Sequence, residues 1–261
     1  MDDLDVAIEA AAAGAEVIAD AFGKSAVPEM KGQFDPVTEV DHASERAILE
    51  VIERHRPSDA VLAEESGEIG DAERRWIIDP MDGTVNFIHG IPQVSVAVGL
   101  FAGDDGLVGV VHDPGRNEIF SAVKGGGATV NGSPIRVSET DNLERAVLAT
   151  GFPYDHGDHA AAYAHTLGAV LERVNGIRRF GSAALDLAWT AAGRYEGYWE
   201  LGIAPWDQAA GMVILREAGG RITHPDGSPS VPETPMLVAT NGVLHEDLRE
   251  IVWSNIPKHL Q

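Results

Sequence analysis

Apolar residues recur at helical spacing from the start of the chain. Leu4, Ile8, Ala11, Ala15, Ile18 and Phe22 fall on one stripe and Gly23 closes it, which predicts a helix over 3–22. Ala43, Ala47, Ile48, Val51 and Ile52 form a second stripe, and Pro57 ends it, so a helix over 39–55 is predicted. Thr38 and Asp41 have the spacing of a capping box at its start. The period then changes. Trp76-Ile77-Ile78 reads as a strand over 75–78 that stops at Asp79, because Pro80 has no N–H to extend a ladder. Segments 94–101, 108–112, 119–123 and 135–137 read as further strands separated by Gly, Asp and Pro turns, an antiparallel meander.

From about residue 147 the texture is mixed. Segments 147–150, 177–180, 198–200 and 236–239 are extended. Segments 158–173, 183–192 and 206–218 are helical, with another helix from about 244. Strands alternating with helices predict an α/β half, residues 146–261, following an α+β half, residues 1–145.

Composition narrows the chemistry. The chain of 261 residues, 44% hydrophobic and 23% charged, can bury a substantial core and is not of disordered type. It has no cysteine, which excludes disulfides, zinc–thiolate sites and thiol nucleophiles. The longest apolar stretch, near 94–102, is too short to cross a bilayer. Asp2, Asp3 and Asp5 are the opposite of a basic leader, so a soluble cytoplasmic protein is expected. The net charge of −22 argues against direct binding to nucleic acid or to an anionic membrane. Two sources of that charge stand side by side: adaptation to high salt, or an arginine-biased genome combined with a cluster of cation-binding carboxylates. An acidic protein that takes an anionic substrate must reverse its field locally, and bound divalent cations would do so.

Acidic turns at the ends of apolar elements are the candidates. Asp79 and Asp82 lie three residues apart on one turn and repel each other unless a cation sits between them; oxygen-only ligands favour Mg²⁺. The amides of Gly83 and Thr84, at a helix start, would face an anion. Glu64-Glu65 follows the apolar run Val61-Leu62-Ala63, and Asp207 follows Trp206 at the start of a helix. Each alone also fits a plain structural role: an Asp-Gly turn, a solvated acidic loop, a helix cap. Together, in one cysteine-free chain, they are more informative than any one of them.

Four segments carry a resemblance. They are Trp76-Ile77-Ile78-Asp79-Pro80-Met81-Asp82-Gly83-Thr84-Val85-Asn86-Phe87, Trp206-Asp207-Gln208-Ala209-Ala210-Gly211, the stretch from Lys31 to Asp41, and Glu64-Glu65-Ser66-Gly67. In sequence and in order the chain resembles the inositol monophosphatase family over nearly its whole length. The resemblance implies a layered αβαβα sandwich of the inositol monophosphatase and fructose-1,6-bisphosphatase type, a mixture of α+β and α/β. It implies up to three Mg²⁺ per subunit. Glu64, Asp79 and the Met81 carbonyl match the ligands of the first, and Asp79, Asp82 and Asp207 those of the second. Glu64 also faces a third. Glu64, Thr84 and Asp41 then match the catalytic residues, with Thr84 and Asp41 orienting the attacking water and accepting its proton, and Asp35 supporting the Asp41 loop. Sensitivity to Li⁺ and a homodimeric assembly are further implied properties.

On the substrate side, Asp82, Gly83, Thr84 and Asp207 meet the phosphate ester. Gly181-Ser182-Ala183 resembles the lining of a polyol pocket, with Ser182 also placed to cap a helix. Glu200 occupies the place of a glutamate that binds substrate hydroxyls. The expected function is hydrolysis of a small polyol phosphate, inositol 1-phosphate first. Histidinol phosphate, an adenosine bisphosphate and fructose 1,6-bisphosphate are rivals on the same fold, and a protein-binding role in transcription complexes is an alternative of another class. Arg178 and Arg179 are expected to be solvated, and Tyr195, Tyr198 and Trp199 to be core or dimer contacts.

Overall fold

The structure is a computed structural model that describes residues 1–24, 27–32, 34–153 and 156–258, the side chains at 156 and 158 excepted. Gln33, part of the Lys31–Asp41 segment, lies outside these. The first helix, α1 (Asp3–Ala21), starts at Asp2, whose side chain accepts from the Asp5 N–H. A short ribbon of β1 (Glu29–Met30) and β2 (Pro36–Val37) leads into α2 (Glu39–His55). The capping box is present there: the Thr38 N–H donates to Asp41 Oδ2 at 2.8 Å.

Eight strands form the larger sheet. They are β3 (Ala60–Ala63), β4 (Gly67–Ile69) and β5 (Arg74–Asp82), then, after α3 (Thr84–Ile88), β6 (Ser95–Ala102), β7 (Asp105–Asp113), β8 (Glu118–Val123), β9 (Gly127–Val130) and β10 (Ser133–Ile135). Their order is β10-β9-β8-β7-β6-β5-β3-β4, and every pair is antiparallel except β3 with β5. The antiparallel meander is as predicted over β6, β7 and β8, but β9 is an additional strand, and the last strand covers 133–135 instead of 135–137. The smaller sheet comes from alternating elements: β11 (Val147–Thr150), α4 (His156–Leu171), β12 (Gly176–Arg178), α5 (Ala183–Ala191), β13 (Gly197–Leu201), α6 (Pro205–Glu217), β14 (Arg221–Thr223), β15 (Met236–Thr240) and α7 (His245–Asn255). Its order is β12-β11-β13-β15-β14, with β12, β11 and β13 parallel.

Three apolar clusters stack these elements into five layers. α1 and α2 cover one face of the larger sheet through Ile18, Ile48 and Ile52, which meet Trp76, Ile78 and Val98. Burying each such side chain contributes roughly 1.5–3 kcal/mol. The other face, through Ile77, Phe101 and Phe120, packs on α5 and α6, whose far side meets the smaller sheet at Tyr198 and Ala239. α4 and α7 close the outer face of the smaller sheet around Leu148, Trp199 and Leu248. The layering is αβαβα. Among the described residues no helix is long and apolar enough to cross a membrane.

Two local features position the site. The first corrects the expectation that Pro80 ends its strand. β5 runs through to Asp82, with its register against β6 shifting between Asp79 (opposite Ala97) and Asp82 (opposite Ser95). Three residues on β5 span what two span on β6, which is a bulge, and a bulge tolerates proline's missing N–H. In a regular strand residues i and i+3 face opposite sides. The extra residue turns Asp82 to the side of Asp79. The second feature is Gly99 paired with Gly109 across β6 and β7. A Cβ on Gly109 would stand 2.3 Å from the Ala210 carbonyl oxygen, so only this bare patch lets α6 lie so close to the larger sheet.

Candidate active site

A cavity of about 560 Å³ opens where the bulge of β5, the first turns of α5 and α6 and the ends of β11 and β13 meet. Asp79, Asp82 and Asp207 converge in it, each offering a carboxylate oxygen within 4.8 Å of the others. Asp79 and Asp82 come from the bulge. Asp207 arrives on α6, where its Oδ2 accepts from the Ala204 N–H at 2.9 Å and caps the helix from its own third position, after Pro205 at the start. Asp207 thus joins the acid cluster, while the N-cap place expected for it belongs to Ala204, three residues earlier.

Asp82 is held from several sides. Its Oδ2 accepts from Ser182 Oγ at 2.6 Å, from the Ala184 N–H at 2.8 Å and from Ser95 Oγ at 3.3 Å, while Oδ1 accepts from the Ala183 N–H at 3.2 Å. Ser182 stands at the N-cap position of α5, but its side chain makes no cap bond. Asp82 reaches across from the larger sheet and caps α5 in its place, which ties the bulge to the Gly181-Ser182-Ala183 lining.

Gly83 has φ +104°, a conformation that favours glycine, and a Cβ there would lie 2.7 Å from the Gln93 carbonyl oxygen. The chain thereby turns sharply into α3. Thr84 Oγ1 lies 2.8 Å from Asp41 Oδ1 and 3.2 Å from the Met81 carbonyl; the shorter contact directs its proton to Asp41. Asp41 is fully buried, and its other oxygen accepts from Thr38 N–H and Thr38 Oγ1. The capping box of α2 and the Thr84 contact therefore share one carboxylate.

Glu64 lines the cavity but stands outside the tight trio, its Oε1 2.7 Å from Lys31 Nζ, which also meets Glu65 at 2.9 Å. The Lys31 N–H donates to the Asp35 carbonyl at 2.8 Å, so Asp35 supports the Lys31 turn.

On the opposite wall Glu200 accepts from the Tyr198 hydroxyl. Gly151 covers its carboxylate so tightly that a Cβ would come within 2.0 Å of Glu200 Oε2. Asp186 and Arg179 also line the cavity.

Burial dominates the electrostatics. It raises Asp79 well above the usual aspartate range, reinforced by the charges of Glu64, Asp82 and Asp207. Asp207 is raised in the same way, by burial and then by Asp82 and Glu64. Burial also raises Asp82, against its hydrogen-bond donors, and Asp41, against Thr38 and Thr84. Glu64 is pushed up to about 7 by burial despite Lys31, and Glu200 to about 7 by burial despite Tyr198. Several acids that resist ionisation together, with oxygen as their only donor type, suit a hard divalent cation, whose charge would relieve both desolvation and repulsion. The trio fits such an ion.

Asp79, Asp82, Asp207, Glu64, Met81, Gly83, Thr84, Gly181, Ser182, Ala183 and Glu200 all line this one cavity, and Asp41 joins it through Thr84. The sequence reading gives Asp186 and Ser95 no role and takes Tyr198 only as a core or dimer contact. Tyr198 and Glu200 sit at i and i+2 on β13, on one face, which is the signal that could have paired them. Arg179, expected as a solvated residue, is exposed and reaches the cavity, over the Phe152 ring at 5.7 Å.

The likenesses to other proteins agree with this geometry. A family model described as the inositol monophosphatase family matches residues 2–257. The chain is 45% identical over 251 residues to the inositol-1-monophosphatase of Synechocystis sp., covering 95% of this chain and 87% of that protein. It is 40% identical over 242 residues to the Nus factor SuhB of Escherichia coli, covering 91% of each. The solved structure of inositol monophosphatase from Anabaena (Nostoc) sp. matches with a TM-score of 0.87 at 42% identity, over 97% of this chain and 96% of that one. The chain belongs to the inositol monophosphatase family of phosphoric monoester hydrolases.

Proposed function

We propose that the protein hydrolyses a small polyol phosphate, inositol 1-phosphate first among them, with Mg²⁺ held by Asp79, Asp82, Asp207, Glu64 and the Met81 carbonyl. The observation that carries this reading is the convergence of Asp79, Asp82 and Asp207 within 4.8 Å, beside the Thr84–Asp41 pair. Up to three cations per subunit would supply an activated water and stabilise charge on the phosphate and the leaving alkoxide.

The protein's own groups do the rest. Thr84 gives its hydroxyl proton to Asp41, so its lone pairs face outward and can accept a proton from the attacking water. Asp41 is the acceptor behind it, and its raised pKa makes it the stronger base once charged. Asp82 and Asp207 hold the water that returns a proton to the leaving group. Gly83 and the Gly181-Ser182-Ala183 turn face the ester, and Glu200, oriented by Tyr198, accepts from substrate hydroxyls. On this reading residues 1–145 supply most cation ligands, while residues 146–261 supply the polyol side and Asp207. Li⁺ inhibition, a homodimer and a cytoplasmic location are part of the same proposal.

Mg²⁺-dependent turnover of inositol 1-phosphate against histidinol phosphate tests the substrate. Faster turnover of inositol 1-phosphate is expected, and a large preference for histidinol phosphate sinks the polyol claim. A second reading is an interaction role in transcription, motivated by the 40% identity to a Nus factor. The net charge of −22 points it toward protein contact instead of direct nucleic-acid binding. Co-purification of wild type and Asp82→Asn with a transcription complex separates that role from catalysis.

A further inference from the structure

Three buried polar side chains lie on one face of α2, at positions i, i+3 and i+4: Asp41, Ser44 and Glu45, the first two fully buried and the third 3% exposed. A core-facing helix would ordinarily carry apolar residues there, and a buried polar group is tolerated only with partners. Each has partners, and these lie on two acid-bearing segments, the bulge with the turn that follows it and the Glu64–Ser66 turn. Asp41 takes Thr84, just past the bulge. Ser44 Oγ donates to the Pro80 carbonyl at 2.7 Å, inside the bulge between Asp79 and Asp82. Glu45 takes the second segment: its Oε2 accepts from the Glu65 N–H at 2.8 Å, and its Oε1 accepts from Ser66 Oγ.

The Glu64–Ser66 turn has little else to fix it from the helix side. The Glu64 N–H reaches Ile78 O in β5 at 3.3 Å, and among the described residues the side chains of Glu64 and Glu65 pair with the partly exposed Lys31. Glu45 touches neither the cavity nor any ester placed in it. We propose that Glu45 is a positioning residue for the cation site: through Glu65 and Ser66 it sets the height and direction of Glu64 relative to the Asp79–Asp82 bulge, so that α2 registers these two acidic segments against each other. The inference rests on the reading of Glu64 as a cation ligand.

The test is direct Mn²⁺ binding to substrate-free protein, followed by electron paramagnetic resonance, with the Mg²⁺ dependence of turnover beside it. Glu45→Gln keeps one carbonyl acceptor and presents an amide NH₂ to the other donor. It should lower Mn²⁺ affinity roughly 10- to 100-fold, the range for groups that orient a ligand. The Mg²⁺ needed for half-maximal rate should rise in parallel, with KM for substrate and kcat at saturating Mg²⁺ little changed. Ser66→Ala removes the same contact from the other end and decides the matter if Glu45→Gln does not fold. The double variant should bind no worse than Glu45→Gln, because the two share one interaction. Glu53→Gln, exposed on the same helix, should bind Mn²⁺ as wild type does. Unchanged Mn²⁺ affinity in folded Glu45→Gln and Ser66→Ala overturns the proposal. So does full additivity of the two losses. Failure of wild type itself to bind Mn²⁺ overturns the cation reading beneath it, a different result from either.

Discussion

The two walls of the cavity are built on different principles. The wall from the larger sheet is a bulge whose Asp82 is held by Ser182, Ala183 and Ala184, with Asp41 of α2 beside it held by Thr84 and Thr38. The wall from the smaller sheet is the carboxyl end of parallel strands, where Glu200 and Gly151 project from β13 and the end of β11. Open α/β sheets bind ligands at such ends. The first wall concentrates charge and suits chemistry. The second offers one hydrogen-bonded acid and space, which suits recognition. Catalysis and specificity should therefore respond separately to mutation.

The largest effect expected is on the first wall. Asp82→Asn should cut kcat on the order of 10³-fold, from loss of cation charge stabilisation. Circular dichroism should show the fold retained, and near-normal kcat would break the assignment of chemistry to this wall. Thr84→Ala should lower kcat roughly 10²-fold, as expected for a proton-transfer partner, while Thr84→Ser recovers most of it. Equal losses in both variants would mean that the hydroxyl is not what matters.

The second wall should respond in KM. Glu200→Gln should raise KM for inositol 1-phosphate about 10-fold, the value of one hydrogen bond to a charged group, with less change for glycerol 2-phosphate. An equal change for both substrates would erase the distinction between the walls.

The same residue also acts on stability. Glu200 stands at about 7 in the fold against 4.5 for an ordinary glutamate. A raised acid contributes stability that is fully present below about 4.5 and lost as pH rises through about 7. In the chelated protein that loss is about 3 kcal/mol at most. Thermal melts at pH 5 and pH 8 should therefore converge in Glu200→Gln relative to wild type, with wild type the less stable of the two at pH 8.

The first wall was largely legible in the sequence, whereas on the second Glu200 and Gly181-Ser182-Ala183 were reached only through the family resemblance. Asp79, Asp82 and Asp207 announce themselves because acids at the ends of apolar elements are unusual and lie in long, specific motifs. The capping box of Thr38 and Asp41 was readable because it depends on neighbours three residues apart. What escaped was tertiary. Pro80 reads as a strand end when only its missing N–H is considered, whereas β6 continues to pair beyond it. Ser182 reads as a cap because nothing local reveals Asp82, 100 residues away, doing that work. Tyr198 reads as core, and it is fully buried, yet its hydroxyl meets Glu200. Strands β4, β9 and β14, each of three or four residues, are too short to show a period.

The bare patch at Gly99 and Gly109 has a thermal consequence. Asp207 shares no strand or loop with Asp79 and Asp82; the seat of α6 on β6 and β7 keeps them together. Heat, or a single methyl group at Gly109, would loosen that seat and disperse the charges while both sheets still stand. Inactivation is then the earliest symptom of the molecule coming apart, and residual turnover is a gauge of whether its layers remain in register.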